Sequence, residues 1–309
     1  RNFCNKLWNA TRFVLSNLAG DARRGATPLN EYTLADAWIV SRFNRTITEA
    51  DEAIGHYRFD QYAKACYDFF WRDFCDWYVE AAKLQLKNEK TAGQTAEVLA
   101  ACLDGALRLM HPVIPFITER LWWELNSVRP MRGISGKVCI GKATERLITA
   151  SWPEVGAVDE DAEHVFPKLQ GLIATIRNLK NEHQANQKIV DVYLALPGEQ
   201  ATQITIENKH LIEELAGCRL KEIKDKLPQP PDTIHAVANG ACDVFIEGLV
   251  DEAAEQARLA KRREELQKQI ATLTGRLNNA GYIAKAPAHL VVQTKKQLAQ
   301  AEDELKKLG

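Results

Sequence analysis

No stretch of the 309-residue sequence approaches the roughly 18 consecutive apolar residues of a membrane-spanning helix, so no helical membrane anchor is expected and no membrane partner is assigned. No Cys-x-x-Cys is present, and no compact Cys/His cluster has zinc-ligand spacing. The seven cysteines, Cys4, Cys66, Cys75, Cys102, Cys139, Cys218 and Cys242, are scattered and odd in number. That pattern predicts reduced, mostly buried thiols in a cytoplasmic protein, with no metal. No Gly-rich phosphate loop appears. There is little net charge either: −1, with a pI of about 6.7. This argues against a uniformly basic nucleic-acid binder but leaves local patches open. No secretory signal opens the chain, and the first residue is Arg1 rather than Met, so the chain is expected to start inside a longer protein.

What is present is an ordinary globular mixture, 46% hydrophobic and 26% charged, long enough for two or three domains. Residues 1–126 read as a helical bundle. Phe3, Leu7, Ala10, Val14 and Leu18 form the apolar stripe of a first helix. A second begins after Thr33, a fitting N-cap with Asp36 three residues on, and ends at Gly55. A third follows Arg58-Phe59-Asp60 and carries Tyr62, Tyr67, Phe69, Phe70, Trp71, Phe74, Trp77 and Tyr78, too many rings for one stripe. It is therefore expected at the bundle centre, with Trp71, Phe74, Trp77 and Tyr78 as core. A fourth spans about Thr95 to Met110, and Pro112 and Pro115 separate it from a fifth near Phe116 to Leu125.

Residues 127–158 read as an irregular connector and residues 159–250 as a small α+β module. The module has a helix near Ala162 to Glu182 and a strand in which Val190, Val192, Leu194 and Leu196 alternate with Asp191, Tyr193 and Ala195. A helix near Lys209 to Ala216 follows, and a hairpin is signalled by Asn239-Gly240. Residues 251–309 carry two heptad seams, Leu259, Arg263, Leu266, Ile270, Leu273, Leu277 and Val291, Thr294, Leu298, Ala301, Leu305, Leu308. Gly281 and Pro287 lie between them, so an antiparallel coiled-coil hairpin is expected, with Ile270 opposite Leu298. The first helix would be about 40 Å long and would project as an arm. The fold class expected is thus mainly α.

Charge is segregated within the near-neutral total. Arg1, Lys6, Arg12, Arg23 and Arg24 face only Asp21, and Arg258, Lys261, Arg262, Arg263, Lys268 and Arg276 outnumber Glu264 and Glu265. Two separated basic surfaces suit a long polyanion touched at two points, whereas merely solvated helix faces would give the same composition.

The run Arg1-Asn2-Phe3-Cys4-Asn5-Lys6-Leu7-Trp8-Asn9-Ala10-Thr11-Arg12-Phe13 resembles the opening of the anticodon-binding domain of the valyl-tRNA synthetase family. Tyr67-Asp68-Phe69-Phe70-Trp71-Arg72-Asp73-Phe74-Cys75-Asp76-Trp77-Tyr78 resembles its central helix, and Gly281-Tyr282-Ile283-Ala284-Lys285-Ala286-Pro287 the turn of its C-terminal coiled coil. His111-Pro112-Val113-Ile114-Pro115-Phe116-Ile117-Thr118-Glu119 resembles a broken helix shared with the Ile, Leu and Met enzymes. The resemblance implies that Lys6, Arg12, Phe13 and Val79 contact the anticodon loop. It also implies that Arg258, Arg262, Lys268, Arg276 and Lys285 contact the outer corner of the tRNA, mostly at phosphates.

The expected partners are tRNA(Val) and the upstream catalytic and editing domains of the same enzyme, and a monomer is expected. The family's His-Ile-Gly-His and Lys-Met-Ser-Lys-Ser signatures are absent, so this chain by itself is expected to be non-catalytic and to hold no cofactor, ATP serving the intact enzyme. The alternatives are the equivalent region of an isoleucyl- or leucyl-tRNA synthetase, or a coiled-coil protein-interaction module.

Overall fold

The structure is a computed structural model that describes residues 2–18, 32–134, 143–249 and, toward the C-terminus, 266–268, 270–275, 277 and 298. It is mostly helical with one small mixed sheet. The elements in chain order are α1 (Asn2–Leu18), α2 (Leu34–Gly55), α3 (Phe59–Asp68), a π-helical segment (Phe69–Tyr78), α4 (Val79–Gln85), α5 (Glu89–Met110) and α6 (Pro115–Val128). Then come α7 (Glu160–Glu182), β1 (Val190–Ala195), α8 (Glu199–Glu207), α9 (Lys209–Ala216), β2 (Cys218–Lys224), β3 (Thr233–Ala238) and β4 (Cys242–Glu247). Two compact units result: residues 1–227 with 236–244, and residues 228–235 with 245–309.

Local signals set several boundaries. Thr33 caps α2 reciprocally: Asp36 N–H donates to the Thr33 hydroxyl at 3.1 Å, and Thr33 N–H and O–H donate to the Asp36 carboxylate at 3.3 and 2.7 Å. Asn88 caps α5 through Lys90 N–H at 3.1 Å, so that helix starts six residues before Thr95, on a polar turn without apolar periodicity. Pro115 opens α6, where its missing N–H has no helical partner to lose.

The aromatic helix is not a uniform α-helix. Between α3 and α4 the chain widens to i→i+5 bonding, with Val79 N–H donating to the Phe74 carbonyl. Buried side chains there fall at Phe69 and Phe70, Phe74 and Cys75, then Tyr78 and Val79. Steps of five and then four suit a wider turn better than a period of 3.6. Phe74 and Tyr78 are core, as expected, while Trp71 and Trp77 are half-buried at the bundle edge. Tyr78 donates its hydroxyl to Asp36 Oδ1 at 2.6 Å, and Gln85 Nε2 donates to Thr33 Oγ1 at 2.6 Å, so the end of the π segment and the end of α4 are both tied to the start of α2.

The irregular chain from 143 to 159 is held by side chains of the bundle. The Glu119 carboxylate accepts from Leu147 and Ile148 N–H, Trp122 Nε1 donates to the Thr144 carbonyl, and Arg108 Nη1 donates to the Ser151 carbonyl. Asn44 donates to the Ala157 carbonyl and accepts from Gly156 N–H. Backbone without a ladder of its own thus finds side-chain partners for several of its polar groups.

The sheet has strand order β2-β1-β4-β3, with β1 and β2 parallel and a bulge between Val192 and Tyr193. Neither α8 nor β2 stood out in the sequence. The Asn239-Gly240 turn has φ of 53° and 73°, the two positive values a tight two-residue hairpin requires. Asn239 donates to the Lys168 carbonyl at 2.7 Å, and Gly171 leaves room for it: a Cβ there would collide with the Asn239 side-chain amide. In the second unit, Leu266 and Leu273 are buried and Ile270, Leu277 and Leu298 half-buried, while Gln267, Lys268, Ala271 and Thr272 are exposed. The remaining seam positions and the strand-to-strand register of the expected hairpin lie outside the described residues.

Candidate nucleic-acid interface

The α1 helix is amphipathic. Leu7, Ala10, Thr11, Val14 and Leu18 are buried, and Asn5, Trp8, Asn9, Arg12 and Ser16 form an exposed stripe on the opposite face. Lys6 and Phe13, seven residues apart, lie at the edge of that stripe on one row of the helix. This edge meets the π segment and α4. Lys6 Nζ is 2.5 Å from Asp76 Oδ1 and 3.9 Å above the Trp71 ring centroid, and Lys83 Nζ is 5.7 Å from the Phe13 ring centroid. Both pairings, 6 with 76 and 13 with 83, are 70 residues apart in sequence. The two stretches therefore run parallel, and the seam between them is lined by a cation, a carboxylate and rings.

Three rings extend the seam toward its N-terminal end. Tyr67 and Trp71 stack with centroids 5.4 Å apart and planes inclined by 12°, and Phe3 stacks on both at 5.3 and 6.2 Å. Arg12 is exposed, with no hydrogen-bond, ion-pair or ring partner among the described residues. Phe13 is half-buried against the core, and its carbonyl accepts from Ser16 Oγ and Asn17 Nδ2 at 2.8 Å each.

The other predicted site residues fall differently. Val79 is only 6% exposed and belongs to the bundle core, beneath the seam rather than on it. Lys268 is exposed on the second unit. Arg258, Arg262, Arg276 and Lys285 lie outside the described residues. Trp71, Asp76 and Lys83, which complete the seam, were not singled out from the sequence as binding residues. Asp76 and Lys83 share a 70-residue offset from Lys6 and Phe13, visible only once the parallel packing is known.

The surroundings are built to hold this edge rigid. Burial pushes the Cys75 thiol up to about 12, against the opposing pull of the nearby Lys6 charge. Burial also raises the Asp36 carboxyl above its ordinary range, while hydrogen bonds from Tyr78 and Thr33 favour the ionised form. Arg177 of α7 lies over Trp77, 5.6 Å from its centroid, and donates to the Leu215 carbonyl at 2.7 Å. Lys180, one turn on, donates to the Ala216 and Gly217 carbonyls at 3.1 and 2.6 Å, closing the C-terminus of α9. His111 is structural, its Nδ1 2.8 Å from Thr118 Oγ1 at the start of α6. No group of three or more His, Cys, Asp or Glu suited to a metal ion occurs among the described residues.

The family model described as the anticodon-binding domain of tRNA ligase matches residues 36–194, about half the chain. The chain belongs to the anticodon-binding domain family of tRNA ligases. The anticodon-binding match runs from the N-terminal turn of α2 into β1, so the bundle and α7 lie within it. Residues 251–309 match a second model, the valyl tRNA synthetase tRNA binding arm, and those are the residues in which the two heptad seams were read. The chain is also similar along its whole length to proteins named valine–tRNA ligase. Identity is 39% over 315 residues with that of Neisseria meningitidis serogroup B, 38% over 313 with that of Laribacter hongkongensis and 35% over 313 with that of Thermotoga maritima. The chain spans about a third of the length of these relatives: 32%, 32% and 33%.

Proposed function

We propose that this chain is the RNA-gripping part of a valine–tRNA ligase. In this reading the α1 edge meets the anticodon loop of tRNA(Val), and an antiparallel coiled-coil arm meets the outer corner of the same molecule. The observation that carries it is the order of two modules in one chain, an anticodon-binding domain followed by an arm whose family model is valyl-specific in name. That arm disfavours the isoleucyl and leucyl alternatives.

The geometry of α1 supports the same reading. Anticodon bases are unpaired, so they can be splayed onto rings and hydrogen-bonded at their edges. Arg12 supplies a cation with no protein partner among the described residues, and Phe13 a ring that is not fully covered. In the intact enzyme, acting in the cytoplasm as a monomer, ATP-dependent attachment of valine belongs to upstream domains. Binding at two distant points orients the acceptor end toward them.

Gel-shift titration of the chain with transcripts of valine, isoleucine and leucine tRNAs, at several salt concentrations, tests this. The valine transcript should bind tightest, with affinity falling steeply as salt rises. Equal binding of all three, or binding indifferent to salt, would refute it.

A further inference from the structure

Lys6 and Arg12 look equivalent in the sequence, two cations six residues apart on one helix, but the structure treats them differently. Arg12 is exposed and has no partner among the described residues. Lys6 is clamped. Its ammonium lies against Asp76 Oδ1 and over the Trp71 face, and its side chain is 24% exposed against 48% for that of Asp76. A cation neutralised at 2.5 Å by a carboxylate is a poor phosphate anchor, because an approaching phosphate meets the carboxylate's charge as well. What the pair does present is a mixed edge. Lys6 keeps N–H donors beyond the one given to Asp76, and Asp76 Oδ2 accepts no hydrogen bond among the described residues. Donor and acceptor side by side are what the edge of a nucleobase presents in mirror form.

Resting on the RNA-binding reading above, we propose that Lys6 and Asp76 together read the edge of one anticodon base, with Asp76 also positioning Lys6 over Trp71, while Arg12 contacts phosphate. Two features fit a readout role. The pair stands beside the near-parallel rings of Phe3, Tyr67 and Trp71, and Tyr67 is 40% exposed. Asp76 also projects from the π-helical segment, whose wider turn puts Phe74 and Cys75 inward and Asp76 outward. A rigid mounting is what reading an edge requires and what holding a phosphate does not.

The test compares Lys6→Ala, Asp76→Asn, Asp76→Glu and Arg12→Ala with the unaltered chain. Each is titrated over a salt series with a valine tRNA transcript and with transcripts bearing single substitutions at each anticodon base. Lys6→Ala should leave the logarithmic salt slope unchanged and reduce discrimination at one anticodon position by about tenfold. Asp76→Asn frees the Lys6 charge. It should steepen the slope by about 0.7, the value for one added contact to a single-strand phosphate, and lose the same discrimination, which Asp76→Glu should largely restore. Arg12→Ala should lower the slope by about 0.7 and leave discrimination intact.

A Lys6→Ala variant with a lowered slope and full discrimination would make Lys6 a phosphate anchor and overturn the proposal. Asp76→Asn changing neither quantity would reduce the bridge to a packing contact between α1 and the π segment. If the unaltered chain bound no transcript, the RNA-binding reading itself would fall. Urea midpoints of all four variants, expected to stay close to that of the unaltered chain as they do for most surface substitutions, separate loss of readout from loss of fold.

Discussion

Replacing Gly105 with alanine reverses the usual sign of a helix substitution. Gly105 lies inside α5, where alanine ordinarily stabilises by about 1 kcal/mol through its higher helix propensity. Here a Cβ would run into the Phe43 ring, meeting Cζ most closely, with Cε1 and Cε2 at 2.7 and 2.8 Å. The ring has no room to retreat. Phe43 is fully buried, and Phe69, the first residue of the π segment, packs against it at 5.3 Å with a 49° tilt. Forcing atoms into a packed core costs about 1–3 kcal/mol, and three clashing atoms of a rigid ring put this site near the top of that range. Subtracting the propensity gain leaves a net loss of about 2 kcal/mol. With a urea slope of about 3 kcal/mol/M for a unit of this size, the midpoint should fall by about 0.7 M.

Gly55→Ala, at the end of α2 with nothing within 4 Å of the new methyl, is the control and should change stability little or raise it. Phe43→Leu combined with Gly105→Ala should recover part of the loss, with a coupling of about 1 kcal/mol or more in a double-mutant cycle. A Gly105→Ala chain as stable as the original, or more so, would show that the α2–α5 approach is looser than described.

The half-buried Phe13 ring should separate stacking from packing: Phe13→Leu keeps apolar contact with the core but removes the aromatic face. Its urea midpoint should stay near that of the original chain while anticodon stem-loop affinity drops by about 1–3 kcal/mol, and undiminished affinity would exclude Phe13 from the contact. Asp36 should give a pH signature. Its folded carboxyl titrates above the ordinary range, so its burial costs nothing below about pH 4, progressively more as pH climbs from there to the raised value, and a constant amount above it. The chain should therefore lose stability relative to Asp36→Asn across that window, and a stability difference flat with pH would contradict the assignment. Burial pushes the thiols of Cys66, Cys75, Cys218 and Cys242 up to about 12. With Cys102 fully buried as well, Cys4 should be the first of the six described cysteines to react with a thiol reagent at neutral pH. Rapid labelling of any of the five buried ones in the folded chain, followed by peptide mapping, would refute that ordering.

By itself the sequence determined whatever depends on residues within a few positions of one another. The limits of α1, the reciprocal cap of Thr33 and Asp36, the proline-opened α6, α9, and the Asn239-Gly240 turn could all be read because propensity, capping and turn chemistry act over one to four residues. The family motifs are equally local, which is why the tRNA-ligase kinship was readable in short blocks. Only tertiary structure decided the rest. The widening at Phe69–Tyr78 answers to two bundle faces at once, and β2 exists because β1 offers it a parallel edge. Val79 is sunk into the core by the helices around it, and Lys6 differs from Arg12 because a carboxylate 70 positions away reaches one and not the other. Such pairings leave no trace in local periodicity, since the free energy that selects them is gained only when distant segments are brought together.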